Sequence, residues 1–249
     1  MATQTRSAPR RSLPIARVVR RDDLTDDLWL MWLEPENPFR FKAGQYCTIG
    51  LNGIERAYSI VSAPHEPNLE LFIEMVPRSA GGELTPLLYE LRPGDTVTIR
   101  PGAKGIFTFK PDYRHHLMIS TVTGIVPFVS MLRDYFHSGA QGHRFYLLHG
   151  ASYDNEFGYD REVSRLAKEH PDDVRFVLTV SRPQEARNTR WEGETGRVNT
   201  IVAKHIERFG LDAASTLVYA CGHPGMIESV REQLTPGGWT ITEERFWKQ

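Results

Sequence analysis

Cysteine is nearly absent from this chain: only Cys47 and Cys221 occur in 249 residues. Two thiols can build neither a four-cysteine iron–sulfur cluster nor a disulfide framework, so a second redox centre would have to come from another molecule. Long apolar runs are also missing. The stretch from Leu28 to Leu33 is far too short to cross a bilayer, and no signal-type apolar core follows the basic start, so a cytoplasmic protein without a membrane partner is expected. Nor does charge of one sign dominate: 30 basic and 31 acidic side chains leave a net charge of −1, and no global field draws the protein to nucleic acid. No internal repeat or low-complexity stretch is present, and no metal site is expected.

What remains is the composition of an ordinary globular protein, 40% hydrophobic and 24% charged, long enough for two domains. The first 21 residues hold six arginines and no acidic residue. Residues 1–11 are expected to be a flexible basic tail, with a targeting segment or an arm for an acidic partner as the alternatives.

Two kinds of periodicity divide the rest. From Ser12 to about Pro101, short strand-like runs (Ile15 to Val19, Leu28 to Leu33, Tyr46 to Leu51, Ala57 to Val61, Leu69 to Val76, Thr96 to Ile99) are punctuated by Gly44, Asn52-Gly53, Gly81-Gly82 and Pro93-Gly94. That grammar predicts a small antiparallel β-barrel, with one short helix at Thr85 to Leu91. A boundary near Lys110 to His115 separates residues 12–111 from 112–249. Beyond it, strands at Leu117 to Thr121, Phe145 to His149, Arg175 to Val180 and Thr216 to Cys221 alternate with helical patterns. Alternation of this kind predicts a doubly wound α/β domain with a parallel sheet. The clearest helix runs from Ile125 to Phe136, where apolar residues recur at three- and four-residue spacing and Ser138-Gly139 stops them. Others are expected at Arg161 to His170, Val198 to Phe209 and Gly225 to Leu234.

Several short motifs carry possible chemistry. On a barrel strand, period two puts Arg56 and Tyr58 on one side and Ala57 on the other, and a cation beside an aromatic ring suits a ligand with a phosphate and a flat ring system. An edge-strand pair packed for stability would look the same. Gly82-Glu83-Leu84-Thr85 opens the short helix, where free N–H groups and a hydroxyl favour a pyrophosphate, or simply form a cap. Thr121-Val122-Thr123-Gly124 joins a strand to the strongest helix, and Cys221-Gly222-His223-Pro224-Gly225-Met226 makes a similar turn; ligands gather at such carboxyl edges. Arg182 and Arg197 follow strand ends and could converge on one phosphate. A lone buried cysteine is, by itself, inert packing.

Taken in order, RAYS (56–59), GELT (82–85), TGIVPF (123–128), SR (181–182), TGR (195–197) and CGHPGM (221–226) resemble the ferredoxin–NADP reductase superfamily over about Ile15 to Trp247. The compact bacterial ferredoxin (flavodoxin)–NADP reductases are most similar in length and in the Thr242-to-Trp247 ending. The resemblance implies an FAD-binding Greek-key barrel followed by an NADP(H)-binding domain. Arg56 would neutralise the FAD pyrophosphate together with the turn at Gly82, Leu84 and Thr85; Tyr58, next to Ala57, would stack on the flavin ring, and Ser59 would bond near its N5. Thr121, Thr123, Gly124, Gly222 and Met226 would hold the nicotinamide dinucleotide, Cys221 would lie near the nicotinamide, and Arg182 and Arg197 would read the 2′-phosphate. The Thr242-to-Trp247 ending would form a C-terminal tail, with Phe246 or Trp247 covering part of the flavin or its adenine.

The implied reaction is hydride transfer from NADPH to flavin N5, with electrons passed on singly to a separate ferredoxin or flavodoxin, by a monomer. Two departures stand out. Val122 occupies a place where the family commonly has glycine, and Arg245 falls where relatives put a small or aromatic residue. Alternatives are the reductase component of an oxygenase, a flavin reductase, and a non-catalytic scaffold whose nucleotide site is degenerate.

Overall fold

The computed structural model describes residues 12–245; the basic tail expected at residues 1–11 lies outside them. Six strands build the first half: β1 (Ile15–Asp23), β2 (Leu28–Pro35), β3 (Tyr46–Leu51), β4 (Ile54–Ser59), β5 (Leu69–Glu74) and β6 (Thr96–Ile99). They pair antiparallel in the order β4-β3-β6-β1-β2-β5. Alternate residues such as Val18, Cys47, Ile49, Leu71 and Ile73 meet around the buried Trp29, which is the period-two pattern made physical. The chain leaving β4 crosses to the other edge, where Val61 N–H donates to the Glu70 carbonyl (2.8 Å), and the sheet curls toward a barrel. Helix α1 (Thr85–Tyr89) closes one end by sinking Leu88, with Leu84 just before it, into the same core.

In the second half the elements alternate. They are β7 (His115–Thr121), α2 (Val126–His137), β8 (Arg144–Ala151), α3 (Asp160–Glu169), β9 (Val174–Val180), β10 (Glu194–Thr195), α4 (Val198–Phe209), β11 (Thr216–Gly222), α5 (Pro224–Leu234) and β12 (Thr240–Arg245). The strands are parallel and ordered β10-β9-β8-β7-β11-β12. Starting from β7 the chain winds outward through β8 and β9, then returns to lay β11 on β7's other side. The winding therefore reverses between β7 and β11, and a doubly wound sheet offers its ligand crevice at the carboxyl ends of those strands. Helices α4 and α5 cover one face of the sheet. On the other face, α2 and α3 share a core with Leu28, Leu30 and Phe72 of the barrel, so this helix layer is sandwiched between the sheet and the first domain.

Differences from the sequence expectation are local. Helix α2 begins one residue later than expected, because Val122–Ile125 form a turn of 3₁₀ helix first. The segment read as the start of a tail is strand β12. Its sequence, Thr-Ile-Thr-Glu-Glu-Arg, is too polar to stand out, as suits an edge strand paired on one side only. Just before the boundary, Phe107 and Phe109 pack against Phe128, Tyr219 and Phe145 of the second half. No helix among the described residues is long and apolar enough to cross a membrane.

Candidate functional site

A cleft of about 760 Å³ runs along β4, the edge strand of the barrel, and reaches the second domain at Thr123 and Val126. That size is typical of a site for a small organic ligand. Arg56, Ala57, Tyr58 and Ser59 all border it. Ala57 was expected on the opposite face, but the cleft wall is formed by the unpaired side of an edge strand, so both faces reach it. The Arg56 guanidinium is exposed and ion-paired with Glu83 of the facing turn. Tyr58 is half-buried, and that burial keeps its hydroxyl protonated by pushing its pKa upward.

The turn opposite β4 is Gly81 to Thr85. Gly82 passes so close to Val76 that an added Cβ would overlap the Val76 carbonyl, which only glycine avoids. The Thr85 hydroxyl, expected to face a phosphate, is used internally: it accepts from Val76 N–H (3.0 Å) and donates to the Val76 carbonyl (3.1 Å). What the turn offers the cleft is backbone, since the N–H groups of Glu83 and Leu84 have no hydrogen-bond partner among the described residues. Glu74 also borders the cleft; burial, with Asp27 and Glu156 adding to it, pushes its carboxyl up to about 7.

At the floor, Ser59 donates to Glu244 Oε2 (3.1 Å), linking the barrel to β12. Burial pushes the Glu244 carboxyl up to about 7, against the opposing pull of the Ser59 hydroxyl. Register pairs Glu244 with Cys221 on β11. Cys221 is fully buried, and burial foremost, with Glu244 adding to it, holds the thiol protonated. Sequence reasoning missed Glu244. No motif marks it, and its place follows only once β12 is known to run parallel to β11.

Around the switch point, Gly124 packs so tightly on the Cys221 carbonyl that a side chain would collide, and His223 N–H donates to Thr121 Oγ1 (2.9 Å). The two expected nucleotide turns are therefore interlocked. Val122 between them adopts φ = 41°, the left-handed region that a β-branched residue resists. Gly222 sits beside Thr121, whereas Met226 is buried in the core that α4 and α5 share.

Arg182 and Arg197 stand at the carboxyl ends of β9 and β10, away from the cleft. Arg182 donates to the Tyr153 hydroxyl (2.9 Å) and pairs with Glu185 (3.5 Å). Arg187 lies over the Tyr153 ring at 3.6 Å, a cation–aromatic stack that the sequence did not signal. Phe246 and Trp247, expected over a flavin, lie outside the described residues. Arg245 turns to Glu243 (3.0 Å) and Glu228 (3.1 Å) on the outer side of β12 and α5, not toward Ser59.

Comparison with known proteins agrees with the two-domain architecture. Residues 16–109 match the oxidoreductase FAD-binding domain family and residues 118–232 the oxidoreductase NAD-binding domain family. The flavodoxin/ferredoxin–NADP reductase of Buchnera aphidicola subsp. Baizongia pistaciae is 31% identical over 226 residues, covering 83% of this chain and 88% of that protein. Ferredoxin–NADP reductase B of Sorangium cellulosum is 34% identical over 202 residues, 78% of this chain and 79% of that one. Among solved structures, a Neisseria gonorrhoeae ferredoxin NADP+ reductase with bound FAD and NADP has the same fold, with a TM-score of 0.79 at 24% identity over 94% of this chain and 98% of that chain.

Proposed function

The chain belongs to the flavodoxin/ferredoxin–NADP reductase family, and on that premise we propose that it is an FAD-dependent oxidoreductase carrying electrons between NADP(H) and a separate one-electron carrier, a ferredoxin or flavodoxin. The observation that carries this reading is the convergence of Arg56, Tyr58 and Ser59 with the Gly82 turn and Thr123 around one interdomain cleft. The residues fit a flavin nucleotide. A guanidinium and two unpartnered N–H groups suit a pyrophosphate, and a flat phenol ring suits a flat ring system. Arg56 would have to leave Glu83 or share its charge between Glu83 and the phosphates. FAD, when bound, supplies a two-electron acceptor for nicotinamide hydride that can release its electrons singly.

The protein's own contribution is alignment and proton supply. Thr123 and Gly124, at the sheet's switch point, hold the nicotinamide dinucleotide against the cleft. Arg182 and Arg197, with Arg187 on Tyr153, supply cationic and stacking groups for its phosphorylated adenosine end. Ser59 holds a proton at Oγ and hands its hydrogen bond to Glu244 in the resting arrangement; a carboxyl titrating near 7 can return or accept a proton at that point. Relatives matched over most of their length are named flavodoxin/ferredoxin–NADP reductase or ferredoxin–NADP reductase, which favours a separate carrier protein as electron partner.

Equilibrium binding of FAD to the flavin-free protein tests the assignment. Arg56→Gln should weaken FAD binding about ten- to a hundredfold, the worth of a charge-assisted contact to phosphate. Unchanged FAD affinity would remove Arg56 from the site.

A further inference from the structure

Strand β5 places alternate side chains on its two faces: Leu69, Leu71 and Ile73 enter the barrel core, so Glu70 and Phe72 face the second domain. Glu70 is only 5% exposed, and a carboxylate so buried has to be neutralised. Arg133, two-thirds of the way along α2, does this. Its Nη1 donates to Glu70 (2.6 Å) and Glu66 (3.3 Å) of the barrel domain, while Nε and Nη2 grip both oxygens of Glu162 on α3 (2.7 and 2.8 Å). Tyr159 donates to the second oxygen of Glu70 (2.8 Å), and burial keeps that phenol protonated. One turn earlier, Ser130 Oγ donates to the Ser62 carbonyl (2.7 Å), a second tie between α2 and the barrel.

Neither Arg133 nor its carboxylate partners border the cleft. Their effect on it runs through α2, which begins directly after the Thr123-Gly124 turn. Arg133 lies ten residues from Thr123, roughly 15 Å along a helix, so a tilt of a few degrees about this anchor moves the turn by about 1 Å. A displacement of that size is enough to spoil an aligned transfer.

The geometry points to Arg133 as a positioning residue: the ion cluster it centres ties α2 to the barrel at the one angle that brings the nucleotide turn into register with the flavin cleft. This inference rests on the function proposed above. It assigns Arg133 no contact with either cofactor.

Rapid-mixing reduction of the FAD-loaded protein by NADPH, read beside FAD content and NADP+ affinity, tests it. Arg133→Met should keep its FAD and bind NADP+ within about twofold of the parent, yet its flavin should be reduced about ten- to a hundredfold more slowly. Arg133→Lys, which keeps the charge but loses the two-pronged grip, should fall between them. Parental reduction rates in these variants, even with a lowered Tm, would make the cluster a stabilising feature only and overturn the positioning role. So would a change confined to NADP+ affinity. Should the methionine variant fail to fold, the lysine variant decides alone: a slowed rate supports the role, and the parental rate overturns it. Failure of the functional reading looks different, because the unsubstituted protein would then show no NADPH-dependent bleaching.

Discussion

At the scale of single residues, Val122 shows the sheet's switch point imposing its shape on an unsuitable side chain. Holding a β-branched residue at φ = 41° costs about 1 to 2 kcal/mol, a cost that glycine there would not carry. The side chain gives back part of this by packing, half-buried, against the α2 core and the Phe157 cluster. Two substitutions separate these effects. Val122→Ala loses the packing and keeps the strain; Val122→Gly loses both. Thermal unfolding should therefore find the glycine variant at least as stable as the alanine variant, the reverse of the usual order in regular structure. An alanine variant more stable by several degrees would mean that the turn is not strained. That Arg56, Tyr58, Ser59 and Thr123 gather at one cleft could be anticipated from the sequence because short motifs carry them, in order, on a barrel strand and a strand-to-helix turn. Glu244, Tyr153 and Arg187 could not be anticipated, since each reaches its place through a pairing or stacking between segments far apart in the chain.

At the scale of elements, β12 matters most, because it carries Glu244 to Ser59 and Cys221. A polar edge strand gives little hydrophobic alternation, and this one was read from the sequence as a tail. Its register makes a prediction about pH. The Glu244 carboxyl is pushed up to about 7, while in the unfolded chain it ionises near 4.5, so between those values the folded protein binds the extra proton. Stability contributed by this group is then fully present at low pH and is lost as pH rises from about 4.5 through 7. Glu244→Gln, which stays neutral throughout, should match the parent Tm near pH 4.5 and exceed it increasingly up to pH 7 to 8. Parallel Tm curves across that range would show that Glu244 does not sit in the buried setting described. Helices fared better than strands in the sequence reading. The four longer ones carry apolar stripes at three- and four-residue spacing and lie within a residue or two of expectation, because one face of each is buried on a sheet.

At the scale of the whole molecule, the two halves announce themselves by different periodicities, and the crevice between them follows from the reversal of winding between β7 and β11. Their relative placement is not written in any local pattern. It depends on Phe107 and Phe109 reaching into the second domain, on Phe72 against Tyr159, and on Arg133 holding carboxylates from both sides. Whether electrons pass through this crevice is read by anaerobic titration of the FAD-loaded protein with NADPH. The yellow flavin absorption should bleach in proportion to added NADPH, one equivalent per flavin, and return when a ferredoxin or flavodoxin is supplied. A spectrum that NADPH leaves unchanged, or a protein that takes up no FAD, would contradict electron transfer by this route.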